Sequence, residues 1–214
     1  MTDEPLVALS ATDKLVVEPI WEVPIDEIEG SLYQAYIKEH PEYAHLLVRR
    51  ELKKRLKRAA LGLPSDWQLI VRAGHRPLEV QYALLSQVRS KYLAEHPGAS
   101  QDEALAYART YVSDPTIKVP PHCAGAAVDV DVRYMSSDEL VDFGCPVNTD
   151  DEIAGLSTDK LTAQQQANRA ILLSVMLDAG FASFESEWWH YSYGDQIWAD
   201  YYGKPAPLYS IIEV

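Results

Sequence analysis

Three short segments of this chain hold side chains that could do chemistry together. The first, Pro121-His122-Cys123-Ala124-Gly125-Ala126-Ala127-Val128-Asp129, puts a histidine before a glycine turn and an aspartate on the stretch that follows. The second, Ser186-Glu187-Trp188-Trp189-His190, sets a carboxylate and an imidazole three residues apart beside two indoles. The third is Gly74-His75-Arg76-Pro77. Two histidines and one aspartate make a three-ligand zinc site with its fourth position open, the arrangement catalytic zinc requires. Glu187 is then a spare carboxylate, available as a general base toward water. Each piece alone has a plainer reading. His122 can be a loop residue, Asp129 a strand-end acid, Trp188 and Trp189 core aromatics, and His75-Arg76 a strand exit before proline.

The elements that must position these segments follow from periodicity. Trp67–Arg72 is apolar and β-branched and predicts a buried strand. Pro77 opens a helix over Leu78–Ala94, with Leu78, Tyr82, Leu85 and Tyr92 as its apolar stripe. Ser100 and Glu103 form a capping box for a second helix reaching about Tyr111. Ala126–Arg133 alternates strictly, so Val128, Val130 and Val132 face one way and Asp129, Asp131 and Arg133 the other. Asp131 then lies about 7 Å from Asp129 by strand rise. Residues 134–160 read as an extended loop. Thr162 caps a helix whose apolar face is Ala167, Ala170, Ile171, Ser174 and Val175, and Gly180 stops it. Phe181–Phe184 and Glu187–Tyr193 read as a hairpin. The order predicts an α+β fold, a small mostly antiparallel sheet with helices packed on it and the zinc site in a central cleft. Residues 1–214 read as one domain, with 1–40 an N-terminal arm and about 65–200 the catalytic core. One geometric condition is attached. In a regular strand Glu187 and His190 would point to opposite faces, so a strand end or bulge is required there.

Composition narrows the partners. The chain has 214 residues, 47% of them apolar, enough to bury a sizeable core. Its formal net charge of −13 repels phosphate backbones, so nucleic acid is not expected as a partner. The exception is Arg49, Arg50, Lys53, Lys54, Arg55, Lys57 and Arg58 against Glu51, within Ala44–Leu61. There Val48, Leu52, Leu56 and Ala59 mark an apolar helical stripe, so the basic run reads as a solvated helix face. Two cysteines, Cys123 and Cys145, define no disulfide framework and fit a reducing compartment. No apolar run approaches the roughly 18 residues of a membrane span. The first residues lack a basic n-region and a sustained apolar h-region, so a cytoplasmic location is expected. A small peptide is the expected partner, alone or in a homo-oligomer.

Taken in order, the segments form a composite pattern. H-x-x-G-x-A-x-D runs from His122 through Gly125 and Ala127 to Asp129; E-W-W-H, Glu187 to His190, begins 58 residues later; G-x-R-P lies upstream at Gly74 to Pro77. This closely resembles the zinc D-alanyl-D-alanine dipeptidases of the vancomycin-resistance type, over about residues 65–200. That family belongs with D,D-carboxypeptidases, phage endolysins and the hedgehog signalling domain. The resemblance implies one Zn2+ per chain held by His122, Asp129 and His190. It implies Glu187 as the catalytic base and Arg76 as the group that stabilises the developing oxyanion, a permanent charge suited to that task.

Two positions depart from the family pattern. Pro120 stands where the family usually has serine, two residues before the motif histidine. Asn148 stands where an aspartate helps hold the substrate's ammonium, so a charge-assisted contact is weakened. Asn148, Trp189 and Asp131 are the candidates for contact with substrate, with Asp150 and Asp151 as other sources of negative charge. The leading expectation is zinc-dependent hydrolysis of D-Ala-D-Ala or a similar short peptide containing D-residues. The alternatives are a carboxypeptidase or endopeptidase acting on larger cell-wall peptides, and a zinc-holding domain without turnover. Glu187 and Arg76 argue against the last, because a structural site needs neither.

Overall fold

The computed structural model describes residues 4–22 and 27–212. Its centre is β4 (Trp67–Ala73), where every residue but Gln68 is buried. Such a run is compatible only with a strand covered on both faces. β4 pairs in parallel with β2 (Leu15–Val17) and antiparallel with β5 (Ala127–Tyr134). β5 in turn pairs antiparallel with β7 (Glu187–Ser192), and β7 with β6 (Ala182–Phe184). The sheet order is therefore β2-β4-β5-β7-β6. A separate two-stranded ribbon joins β1 (Leu6–Ala8) to β3 (Leu47–Arg49). The fold is α+β, as the sequence predicts.

Val128, Val130 and Val132 of β5 are wholly buried. They share one core with Leu52, Leu56 and Ala59 of α2 (Arg50–Gly62) and with Leu172 and Met176 of α5 (Ala163–Asp178). A second cluster joins Leu84 and Leu85 of α3 (Leu78–Glu95) to Ala108 of α4 (Gln101–Tyr111). Ile28 and Leu32 of α1 (Glu27–Glu39) pack against it. The short α6 (Gln196–Tyr201) closes over β6. The capping box at Ser100 and Glu103 forms both of its bonds, and Thr162 forms one with Gln165.

Several expected faces are corrected. The basic helix starts at Arg50; Val48 is buried in β3 instead. Arg49 and Arg55 leave the solvated face, because Arg49 donates to the Ala124 carbonyl at 2.9 Å and Arg55 lies 3.7 Å over the Tyr193 ring. In α3 the buried residues are Val80, Gln81, Leu84 and Leu85, while Tyr82 is exposed. In α5 they are Asn168, Arg169, Leu172 and Met176, and Ala167 and Ala170 face solvent. Arg169 is drawn inward because it donates to the carbonyls of Phe143, Ile153 and Gly155 at 2.8 Å each. It thereby ties down the 134–160 segment, which also holds a short turn at Glu152–Ala154. The 1–40 arm is partly structural too, since Leu15 and Tyr33 lie in the main core.

Candidate metal centre and catalytic cleft

His122 begins a single 3-10 turn, His122–Ala124, closed by Gly125 at φ +64°. A side chain at Gly125 would be strained by that φ, and its Cβ would also come within 2.8 Å of Leu6. The His122 ring is fixed from behind, its Nδ1–H donating to the Gly74 carbonyl at 2.8 Å. Gly74 can sit there only because it has no side chain: a Cβ would come within 2.5 Å of the Leu47 carbonyl oxygen. That bond leaves Nε2 as the ring nitrogen that faces Asp129.

Asp129 and His190 are direct cross-strand partners on β5 and β7, so their side chains share one face. The pairing of β6 with β7 is regular at Ser183↔Tyr191 and then slips, with Phe184 opposite Glu187. This irregularity is the departure the sequence requires, and it brings Glu187 Oε2 to 3.8 Å from His190 Nδ1. Behind His190, Nε2 lies 3.3 Å from the Ser192 hydroxyl.

His122, Asp129 and His190 each offer one ligand atom, all within 4.8 Å of one another, and all three residues are buried. Asp129 Oδ2 is 3.3 Å from His122 Nε2, and Asp129 Oδ1 is 3.1 Å from His190 Nδ1. Donors at 2.0–2.1 Å around a tetrahedral ion stand about 3.3 Å apart, so this set fits zinc.

The electrostatics agree. Burial alone would raise the Asp129 carboxyl, but the two facing imidazoles hold it well below the usual carboxylate range. Burial would lower His190, and its bond to Asp129 raises it instead. Glu187 moves the other way, raised by burial and only partly offset by His190. A carboxylate tuned upward is a better proton acceptor near neutrality.

Arg76 leaves β4 just past its end, with its backbone N–H on the His122 carbonyl at 3.1 Å. Arg76, His122, Asp129, His190, Glu187 and Trp189 line one cleft of about 770 Å³. Asn148, Asp150 and Asp151 line it as well, and Asn148 holds a left-handed backbone at φ +64° that asparagine tolerates.

A family model described as D-Ala-D-Ala dipeptidase matches residues 32–206. The chain belongs to the D-Ala-D-Ala dipeptidase family. Among curated relatives of this family member, the D-alanyl-D-alanine dipeptidase of Synechocystis sp. is 26% identical over 223 residues, covering 89% of this chain and 87% of that protein. The D-alanyl-D-alanine dipeptidase of Enterococcus faecium is 24% identical over 152 residues, covering 69% of this chain and 72% of that one. A solved vancomycin-resistance D,D-pentapeptidase VanY in complex with Zn(II) is 20% identical with a TM-score of 0.44, over 77% of this chain and 83% of that one.

One expected substrate contact is corrected for this family member. Asp131 does not line the cleft; it pairs with Arg72 at 3.2 Å and accepts from the Val132 amide. Two cleft residues lie outside the reach of sequence reasoning, Glu29 on α1 and Gln81 on α3, and both touch Arg76. Gln81 sits five residues after Arg76, a spacing with no signature, and Glu29 precedes it by 47.

His75, beside Arg76, is 3% exposed, and neither ring nitrogen has a hydrogen-bond partner among the described residues. Burial, with Arg49 nearby, depresses its pKa from 6.5 to about 3. The unfolded chain therefore takes up this proton first as the pH falls, and stability drops between pH 6.5 and about 3. Urea unfolding at pH 7, 6 and 5 should show wild type losing stability relative to His75→Leu, with a slope approaching about 1.4 kcal/mol per pH unit. Parallel pH curves for the two proteins would refute it.

Proposed function

We propose that this chain hydrolyses the peptide bond of D-Ala-D-Ala, with one zinc ion held by His122, Asp129 and His190. The observation that carries the reading is the convergence of those three side chains with Glu187 and Arg76 in one cleft. Bound there, zinc supplies Lewis acidity, polarising the scissile carbonyl and making water acidic near neutral pH. Glu187 Oε2 accepts a proton from the attacking water as its oxygen bonds to the carbonyl carbon. The same carboxyl returns the proton to the amine as the C–N bond breaks, so each turnover leaves Glu187 ionised. Arg76 presents N–H groups to the oxyanion of the tetrahedral carbon, a permanent positive charge where negative charge develops. Trp189, 2% exposed, walls the cleft beside the base.

The test is release of D-Ala from D-Ala-D-Ala with zinc supplied and with a chelator. Chelator-sensitive release supports the reading, and none from folded, zinc-loaded protein overturns it. A second reading, action on larger cell-wall peptides, is favoured by the cleft volume, which exceeds what a dipeptide fills, and by Asn148. A peptide blocked at its amino terminus separates the two, because a dipeptidase rejects it. Asn148→Asp restores a carboxylate toward the ammonium, and it should lower KM for the free dipeptide by roughly five- to tenfold, the value of making one hydrogen bond charge-assisted. An unchanged KM would place the ammonium elsewhere.

A further inference from the structure

We infer that Glu29 is a positioning residue for Arg76, so that α1 of the N-terminal arm completes the catalytic cleft. This rests on the proposed role of Arg76 at the oxyanion. Glu29 Oε1 accepts from Arg76 Nε at 2.7 Å and also from Nη2. The pair is buried, with side-chain exposures of 4% for Glu29 and 12% for Arg76. On its other edge Arg76 Nη1 donates to Gln81 Oε1 at 2.9 Å, and Gln81 is itself fixed by donating to the Ser113 carbonyl at 2.7 Å. Three N–H groups of the fork are thereby committed to Glu29 and Gln81, which fixes the plane of the guanidinium.

The physical need for the clamp lies in the charges around it. Arg76 shares its cleft with Asp129 and Glu187, both acids. A loose guanidinium there would swing onto the base and neutralise it. A buried carboxylate behind the fork holds the cation back from Glu187 and fixes which edge faces the reaction. The anchor is itself held. Tyr33, one turn along α1 from Glu29, is 1% exposed and donates to the His75 carbonyl at 3.1 Å, next to Arg76 in the chain. Gln34 donates to the Trp21 carbonyl at 2.7 Å. Glu29 also precedes the segment matched by the family model, residues 32–206. The anchor of the clamp thus lies outside that match, while Arg76 and Gln81 lie within it.

The experiment is a double-mutant cycle on D-Ala-D-Ala, with Glu29→Ala and Glu29→Gln made in wild-type and Arg76→Met backgrounds. Zinc content and thermal unfolding are recorded on the same preparations. Glu29→Ala should lower kcat on the order of tenfold to 10²-fold, the cost of misplacing a catalytic group by about 1 Å. KM should move by less than about threefold. Glu29→Gln keeps an acceptor oxygen in the same place and should recover part of kcat; it carries the test alone if the alanine variant does not fold. In the Arg76→Met background neither Glu29 change should lower kcat further. A folded, zinc-loaded Glu29→Ala protein with wild-type kcat overturns the inference, as does an equal fall in both backgrounds. Arg76→Met retaining kcat is a different result: it removes the oxyanion role itself, and the clamp with it.

Discussion

Glu187→Gln is expected to cut kcat on D-Ala-D-Ala on the order of 10³-fold, within the range for loss of a general base. That is about 4 kcal/mol of transition-state stabilisation. The amide is isosteric with the carboxyl and can still accept a hydrogen bond from water, but it cannot take the proton. The His122, Asp129 and His190 set is untouched, so zinc content should match wild type, as should the unfolding midpoint within a few degrees. Zinc analysis and steady-state kinetics on one preparation check this. Retention of full activity would mean that proton transfer runs through another group, and the mechanism proposed for this cleft would fall.

His122→Ala is the second large effect, and it acts through affinity rather than proton transfer. It deletes one of three donors and leaves Asp129 with a single imidazole partner. Loss of a group that merely orients a ligand costs 10–100-fold in metal affinity, so losing a donor should cost more than about 10²-fold. Activity at limiting zinc falls with it. Calorimetry adds an independent readout. At a hundredfold excess over its dissociation constant zinc stabilises the wild type by about 2.7 kcal/mol, or about 5–10 °C for a chain of this size. The variant's midpoint should be nearly insensitive to zinc. An equal zinc-induced shift in both proteins would remove His122 from the ligand set.

Much of this site is legible in the order and spacing of its residues. His122, Asp129, Glu187 and His190 carry their own spacing, and the requirement for an irregular strand at Glu187–His190 follows from a period of two alone. The fold meets it with the slip between Ser183 and Phe184. Other readings fail for identifiable reasons. In α5 the expected face is right at Ile171 and Val175, which pack on the core, and wrong at Ala167 and Ala170, because periodicity scores apolarity and cannot foresee that Arg169 is recruited inward by three loop carbonyls. Asp131 sits on the polar side of β5 as alternation demands, yet Arg72 from the adjacent strand claims it. Glu29 carries no local signal at all. Its meaning comes from a guanidinium 47 residues away, a relation created only by tertiary packing.

The cross-strand pairing of Asp129 with His190 also dictates when the centre comes into being. During synthesis the two residues leave the ribosome 61 positions apart, separated by the whole of α5. Two of the three donors become neighbours only when the β5–β7 ladder zips, a long-range contact reached after local helices have formed. Zinc held by His122, Asp129 and His190 would therefore bind a ladder that is already paired. Its binding energy is added to that one ladder. Held as proposed, the ion would tie β7 to β5, and its removal would lower the cost of separating those two strands.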